Sequence, residues 1–212
     1  MITLYSWTTP NGRKISIALE EMGLPYESIA IDITKEEQFA PEFLKISPSN
    51  KIPVILDEGR AVFESGAILL YMAHKTGKFM PALGSPEYFE MMQWLMWQMS
   101  GFGPTAGQAH HFLHYNPGVS EYSEKRYHDQ VLQLYRVLDT QLANREFIVN
   151  SLSIVDFATW PWVARFGYHR VCLHQFPNVK RWYVQLAERP GFQRGYAQPM
   201  DAGLIPYPNE NE

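Results

Sequence analysis

Lys51-Ile52-Pro53-Val54-Ile55-Leu56-Asp57-Glu58-Gly59-Arg60-Ala61-Val62-Phe63-Glu64-Ser65-Gly66-Ala67-Ile68 changes backbone state three times in one short stretch. Ile52 to Leu56 is an apolar run of strand length, and proline is tolerated at a strand's first residues, where no ladder N–H is lost. Asp57-Glu58-Gly59-Arg60 is polar and carries glycine, the chemistry of a tight turn. Ala61-Val62-Phe63 then returns antiparallel to the first run. Ser65 to Thr76 reads as a helix with Ile68, Leu69 and Met72 inward, stopped by Gly77. The stretch is therefore a hairpin feeding a helix.

Toward the N-terminus, Ile2 and Leu4 alternate with Thr3 and Tyr5, the period of a short strand. Thr9-Pro10 supplies an N-cap and a proline at the first helical position. Ile15, Ala18, Leu19 and Met22 mark one helical face, which Gly23 and Pro25 end. Glu27, Ile29, Ile31 and Ile33 predict a second strand with mostly apolar side chains on one face. A strand-helix-strand crossover of this kind favours parallel pairing. Glu37 to Leu44 is a short irregular or helical stretch interrupted by Pro41. The order β-α-β-α-β-β-α over residues 1–78 is that of a thioredoxin-like domain.

Pro81, Gly84 and Pro86 predict a linker over 79–86. Residues 87–200 show only helical periodicity, as in Met91, Trp94, Leu95 and Gln98, and again in Val131, Leu134, Tyr135 and Leu138. The expected fold class is α/β followed by an all-helical C-terminal domain. Pro206, Pro208 and Asn209-Glu210-Asn211-Glu212 make residues 201–212 an expected mobile tail.

The 212 residues are 46% hydrophobic and 19% charged, with net charge −4. That composition excludes disorder as the main state and offers no basic footprint for nucleic acid or anionic lipid. No apolar run reaches the roughly 18 residues that span a bilayer. The first residues lack a basic segment followed by an apolar one, so the cytosol is the expected location. One cysteine, Cys172, can form neither an internal disulfide nor a Cys-x-x-Cys pair, which fits a reducing compartment.

Lys51-Ile52-Pro53-Val54, followed by Glu64-Ser65-Gly66-Ala67-Ile68, resembles the glutathione site of the glutathione transferase family. With Thr9-Pro10-Asn11-Gly12 and Gln38-Phe39, the pattern is similar to the nu-class branch of bacterial enzymes, over about Met1 to Gly195. The resemblance implies a cis peptide before Pro53, which would turn the Ile52 backbone toward the middle residue of the tripeptide as in strand addition. Ser65, at a helix start where N–H groups and a partial positive charge point outward, suits the γ-glutamyl carboxylate. Glu64 can then pair with the ligand's ammonium. Lys51 and Gln38 are assigned to the glycyl carboxylate and nearby main chain on the family match alone. Arg126 matches a position that helps hold a second glutathione.

The thiol of glutathione is the reacting group. A free thiol has a pKa of about 8.5, and each unit of depression needs about 1.36 kcal/mol of preference for the anion. Thr9 is placed to donate a hydrogen bond to that sulfur and Asn11 to add an amide donor. Tyr5 and Ser6 are rivals, although Tyr5 reads as part of the strand's core. A thioredoxin needs its own thiolate at this helix start, and here the position holds Thr9. Disulfide exchange must then use glutathione's sulfur as nucleophile.

Other features have structural readings. Ser153-Ile154-Val155-Asp156 is an N-capping box, and loss of Asp156 is expected to cost about 0.5–2 kcal/mol. His110, His111 and His114 lack a third ligand at a telling spacing, so no metal is expected. Cys172 is expected to be buried and inert, and Trp94, Trp97 and Phe102 to serve interdomain packing. The resemblance implies glutathione-dependent disulfide-bond reduction, with peroxidase activity beside it. Conjugation of glutathione to small electrophiles is the alternative, and a non-catalytic binding module the third. The resemblance also implies a homodimer.

Overall fold

The computed structural model describes residues 1–201 and 203–209. The expected mobility of Ala202 and Glu210-Asn211-Glu212 falls outside the described residues. Two compact units emerge, one of residues 1–78 with 187–205, the other of 79–186 with the chain from 206 onward.

The first unit holds a four-stranded sheet in the order β2-β1-β3-β4. Strand β1 (Ile2–Ser6) runs parallel to β2 (Tyr26–Ala30) across helix α1 (Pro10–Met22), and antiparallel to β3 (Val54–Asp57). Strand β4 (Arg60–Phe63) closes a hairpin on β3 through Glu58 and Gly59, whose φ values of 52° and 79° give the doubly left-handed turn that matches strand twist. Helix α2 (Pro41–Leu44) precedes β3, and α3 (Ser65–Thr76) follows β4. Leu4, Ile15, Leu19, Val54, Ile55, Ile68 and Leu69 are fully buried, so strand and helix faces meet in one core.

The second strand differs from the expected one. It ends at Ala30, and Ile33 opens a single 3-10 turn capped by Asp32, whose carboxylate accepts the Thr34 N–H at 2.9 Å. Ile29 is exposed, whereas Tyr26 and Ser28 are half-buried. The reason is register: Ser28 lies beside buried Leu4, while Ile29 lies beside Tyr5 on the other face of an edge strand.

Helix α9 (Pro190–Tyr196) packs on α1 in this first unit, where the sequence reading had run the helical half to residue 200. Gly195 allows the approach, since a Cβ there would stand 2.5 Å from Ile17 Cα. Ser16 Oγ donates to the Gly195 carbonyl at 2.7 Å. The Arg13 guanidinium lies 3.5 Å over the Tyr196 ring and its Nε donates to the Tyr196 carbonyl. Periodicity marks 190–196 as helical but does not say which neighbour takes its apolar side.

The second unit is helical: α4 (Pro86–Trp97), α5 (Gly103–Ala109), α6 (Glu121–Leu142), α7 (Ile154–Val163) and most of α8 (Pro177–Ala187). Two wider π-helical segments, Gln98–Phe102 and His110–Tyr115, flank α5. Every residue of α7 is buried, and its capping box is formed in full by Ser153 and Asp156. Asp156 accepts four bonds: Ser153 N at 2.9 Å, Ser153 Oγ at 3.2 Å, Ile148 N at 3.1 Å and Trp182 Nε1 at 2.9 Å. Trp94, Trp97 and Phe102 form a chain of ring contacts at 5.2 Å each, and Phe102 continues to buried Tyr135. The tail is anchored at two points, Pro206 O accepting from Tyr183 Oη and Asn209 O lying 2.8 Å from His174 Nε2. Among the described residues, no helix is long and apolar enough to cross a membrane.

Candidate functional site

A cavity of about 120 Å³ in the first unit is lined by Asn11, Ser49, Lys51, Ile52, Pro53, Glu64 and Ser65. Six of these seven were expected from the sequence. They come from three places: the first turn of α1, the loop before β3, and the junction of β4 with α3. The loop is closed by a reciprocal pair in which Ser47 Oγ donates to the Lys51 carbonyl at 2.8 Å and accepts the Lys51 N–H at 3.1 Å. The Ile52–Pro53 peptide is cis. Ile52 thus sits one residue before the proline, outside the ladder that begins at Val54.

Helix α3 starts into this cavity without a side-chain cap. Glu64 precedes it with φ 69°, in the left-handed region, and its carboxylate is exposed. Ser65 is buried and its hydroxyl accepts from Lys14 Nζ at 3.4 Å. A helix start that no side chain caps favours a carboxylate, and Glu64 beside it favours an ammonium. That combination fits the α-amino acid end of a γ-glutamyl group.

Thr9 caps α1, its Oγ1 accepting the Gly12 N–H at 3.2 Å. Gly12 is required because a Cβ would lie 2.3 Å from both Ser6 Oγ and the Trp7 carbonyl. The close approach seats the first turn of α1 on the end of β1. Thr9 itself does not line the small cavity, and neither does Gln38. Gln38 lies in the turn Glu37–Phe39, and its Oε1 is buried without a hydrogen-bond partner. Tyr5 is half-buried against Phe43, with ring centroids 6.2 Å apart, and Ser6 is buried.

Arg126 belongs to the second unit, exposed on α6, where it donates to Tyr122 Oη at 3.3 Å. Cys172 is half-exposed rather than buried, because it sits at the start of a single 3-10 turn instead of inside a helix. Among the described residues, no three of His, Cys, Asp and Glu are placed to hold a metal. His110 stacks on His169 at 4.6 Å, and His114 on Tyr168 at 3.6 Å.

Two site residues were missed. Ser49 lay within the Ser-Pro-Ser-Asn turn at 47–50, which turn chemistry flags. Lys14 gave no signal, since a lysine in an amphipathic helix reads as solvated. It is 2% exposed, and burial brings its pKa down from 10.5 to about 7 against the opposing pull of Glu64.

A thioredoxin-like sheet, a cis-proline before β3 and an uncapped helix start beside a glutamate define a class of thioredoxin-like domain with a small polar cavity at its strand–helix junctions. Residues 1–74 match the family described as glutathione S-transferase, N-terminal domain, and residues 95–190 its C-terminal domain. The chain belongs to the glutathione transferase family, within its nu-like branch. It is 45% identical over 198 residues to the disulfide-bond oxidoreductase YfcG of Escherichia coli, covering 90% of this chain and 92% of that one. A second Escherichia coli relative, the disulfide-bond oxidoreductase YghU, is 37% identical, with 92% and 73% covered. Among solved structures, a glutathione transferase family member from Pseudomonas fluorescens with two glutathione bound aligns at TM-score 0.87 and 42% identity, covering 92% of each chain. A glutathione transferase from Pseudomonas putida with one glutathione disulfide per subunit aligns at 0.87 and 38%, covering 93% of this chain and 91% of that one.

Proposed function

We propose that the protein is a glutathione-dependent disulfide-bond oxidoreductase whose nucleophile is the sulfur of bound glutathione. The observation that carries this reading is the convergence of Asn11, Lys51, Ile52, Pro53, Glu64 and Ser65 on one cavity beside a helix start whose cap is Thr9. No cysteine stands there; the chain's single thiol is Cys172. In this reading Ser65 and the α3 N-terminus hold the γ-glutamyl carboxylate, and Glu64 its ammonium. The Ile52 backbone holds the cysteinyl residue, and Lys51 with Gln38 the glycyl end.

Thr9 and Asn11 donate to the glutathione sulfur and favour its anion. The thiolate attacks one sulfur of a disulfide; the S–S bond breaks, and the departing thiolate takes up a proton. A second glutathione thiolate then attacks the glutathionyl sulfur of the mixed disulfide, releasing glutathione disulfide and the second substrate thiol. Arg126 is proposed to hold that second molecule, in keeping with the two glutathiones or glutathione disulfide bound to the structural relatives. Reduction of a peroxide by the same thiolate is the accompanying activity. The protein is proposed to work as a homodimer in the cytosol, where reduced glutathione is supplied.

Turnover of bis(2-hydroxyethyl) disulfide, coupled to glutathione reductase and NADPH, tests the reading directly. Rapid NADPH loss supports it. Conjugation of an aryl halide without disulfide turnover would shift the protein to the transferase reading. Tight glutathione binding with neither activity would make it a binding module.

A further inference from the structure

His110 opens the π-helical segment His110–Tyr115 between α5 and α6, and the proposed chemistry has no use for it. It is 6% exposed, lies 5.4 Å from the Trp162 ring of α7, and stacks on fully buried His169. Tyr135 Oη engages His169 Nδ1, but the Nε2 atoms of both imidazoles are buried with no hydrogen-bond partner among the described residues. Such a pair is tolerated when neutral and costly when charged. From its own segment it faces His114, whose ring stacks on Tyr168, and Tyr115; His111 is exposed beside Asn116. Arg165, beyond the end of α7, lies over the Tyr168 ring and adds positive charge. Helix α5 carries no ionisable side chain, and Tyr135 is the one that α6 buries.

The same segment holds the start of α6. Phe112 stacks on Tyr127, next to Arg126 in the chain, with centroids 5.5 Å apart and planes 7° from parallel. The Leu113 carbonyl accepts Arg170 Nη2 at 2.8 Å, and the Arg170 carbonyl lies 3.2 Å from His128 Nε2, a bond that an Nε2–H donates in either charge state. Glu124 lies near the Arg170 guanidinium and accepts the Gly118 N–H.

Resting on the proposed second-glutathione position at Arg126, we infer that the His110–His169 stack is an acid-released clamp. Protonation of either imidazole frees the His110–Tyr115 segment and, through Phe112 on Tyr127, the α6 start that carries Arg126. The closed stack refuses the proton: burial brings His110 down from 6.5 to about 3, with Arg165 and His114 adding, and holds His169 well below 6.5. Opening restores the ordinary value, so below about pH 6.5 the open form gains about tenfold per pH unit for each imidazole. Above that pH the closed form keeps its full advantage. The second glutathione is therefore held at neutral pH and released in acid.

The test is calorimetry at about pH 7 and pH 5 with glutathione disulfide, which fills both positions, and S-methylglutathione, which reports the first; their carboxylates stay ionised at both. In the wild type the disulfide should bind about tenfold or more weakly at the lower pH, with S-methylglutathione far less changed. His110→Phe keeps a ring in the stack but takes no proton. It should bind the disulfide about tenfold more tightly than wild type in acid, and equally at neutral pH. If that variant fails to fold, hydrogen exchange on the wild type decides, because residues 110–127 should lose protection in acid ahead of buried α7. Unchanged disulfide affinity in acid, an equal loss in His110→Phe, or protection lost evenly along the chain overturns the clamp. Equal disulfide binding by wild type and Arg126→Ala at neutral pH instead removes the second-glutathione position, and its release with it.

Discussion

The Thr9 hydroxyl oxygen accepts the Gly12 N–H at 3.2 Å, which satisfies a helix-start donor and leaves the hydroxyl proton to point elsewhere. Cap and sulfur donor are therefore compatible duties of one side chain. Thr9→Ala is expected to lower kcat at least tenfold and to move the acid limb of the pH–rate profile up toward the free thiol's value of about 8.5. Stability should fall by about 0.5–2 kcal/mol from the lost cap. Thr9→Ser should recover both. An unchanged pH profile in Thr9→Ala, measured beside urea unfolding, would confine Thr9 to capping.

Glu64 stands exposed at the α3 start with φ 69°, in reach of the cavity that Ser65 shares. Removing its charge takes away one charge-assisted bond to the ligand's ammonium. Glu64→Gln should raise the Kd for glutathione about tenfold with kcat at saturation little changed. Steady-state kinetics that showed a lower kcat and an unaltered KM would contradict this assignment.

Arg126 lies exposed on α6, where it donates to the Tyr122 hydroxyl at 3.3 Å. If it serves the second glutathione, Arg126→Ala should weaken glutathione disulfide about tenfold and leave the first glutathione's Kd alone, since one charge-assisted contact is lost. Equal binding of glutathione disulfide to both proteins by calorimetry would return Arg126 to the solvated surface.

Asp156 is more than a cap. Its carboxylate also receives Ile148 N and Trp182 Nε1, so truncation strands two buried donors beyond the capping box. Each costs about 1–3 kcal/mol when left unpaired, so Asp156→Ala should lose about 3 kcal/mol or more, above the 0.5–2 of a cap alone. Chemical denaturation reads the difference; a loss below about 1 kcal/mol would mean that water replaces the carboxylate.

His110 and His169 stack in a buried cluster with Tyr135, whose hydroxyl lies 3.0 Å from His169 Nδ1. Burial brings His110 down to about 3, with Arg165 and then His114 adding, and holds His169 well below 6.5. A base whose folded pKa is depressed gives stability that is present above its unfolded value and lost as pH falls. Stability should therefore decline from about pH 6.5 downward, by about 1.4 kcal/mol per pH unit for each histidine. His110→Phe keeps the stack and should remove one histidine's share of that slope between pH 4 and 6. Parallel slopes for the two proteins would show that His110 is protonated within the fold.

The sequence determined most of the elements and, through the family resemblance, most of the cavity lining. Ile52-Pro53, Glu64-Ser65 and Thr9-Pro10-Asn11 are legible as local signals, a strand start, a helix start and a cap, while their grouping into one site followed from the family resemblance. The Ser153-Asp156 box was legible for the same reason, as its bonds span three residues. What depends on packing between distant segments was not legible. Ile29 fell on the exposed face because parallel register with β1, not alternation within β2, sets which face is covered. Helix α9 joined α1 because Gly195 lets two backbones approach, a fact that no single helix contains. Lys14 became part of the site only when α3 brought Ser65 to its ammonium, fifty-one positions along the chain. Short-range hydrogen bonding is written in neighbouring residues, whereas burial, and with it the charge state of a lysine, is a property of what folds over it.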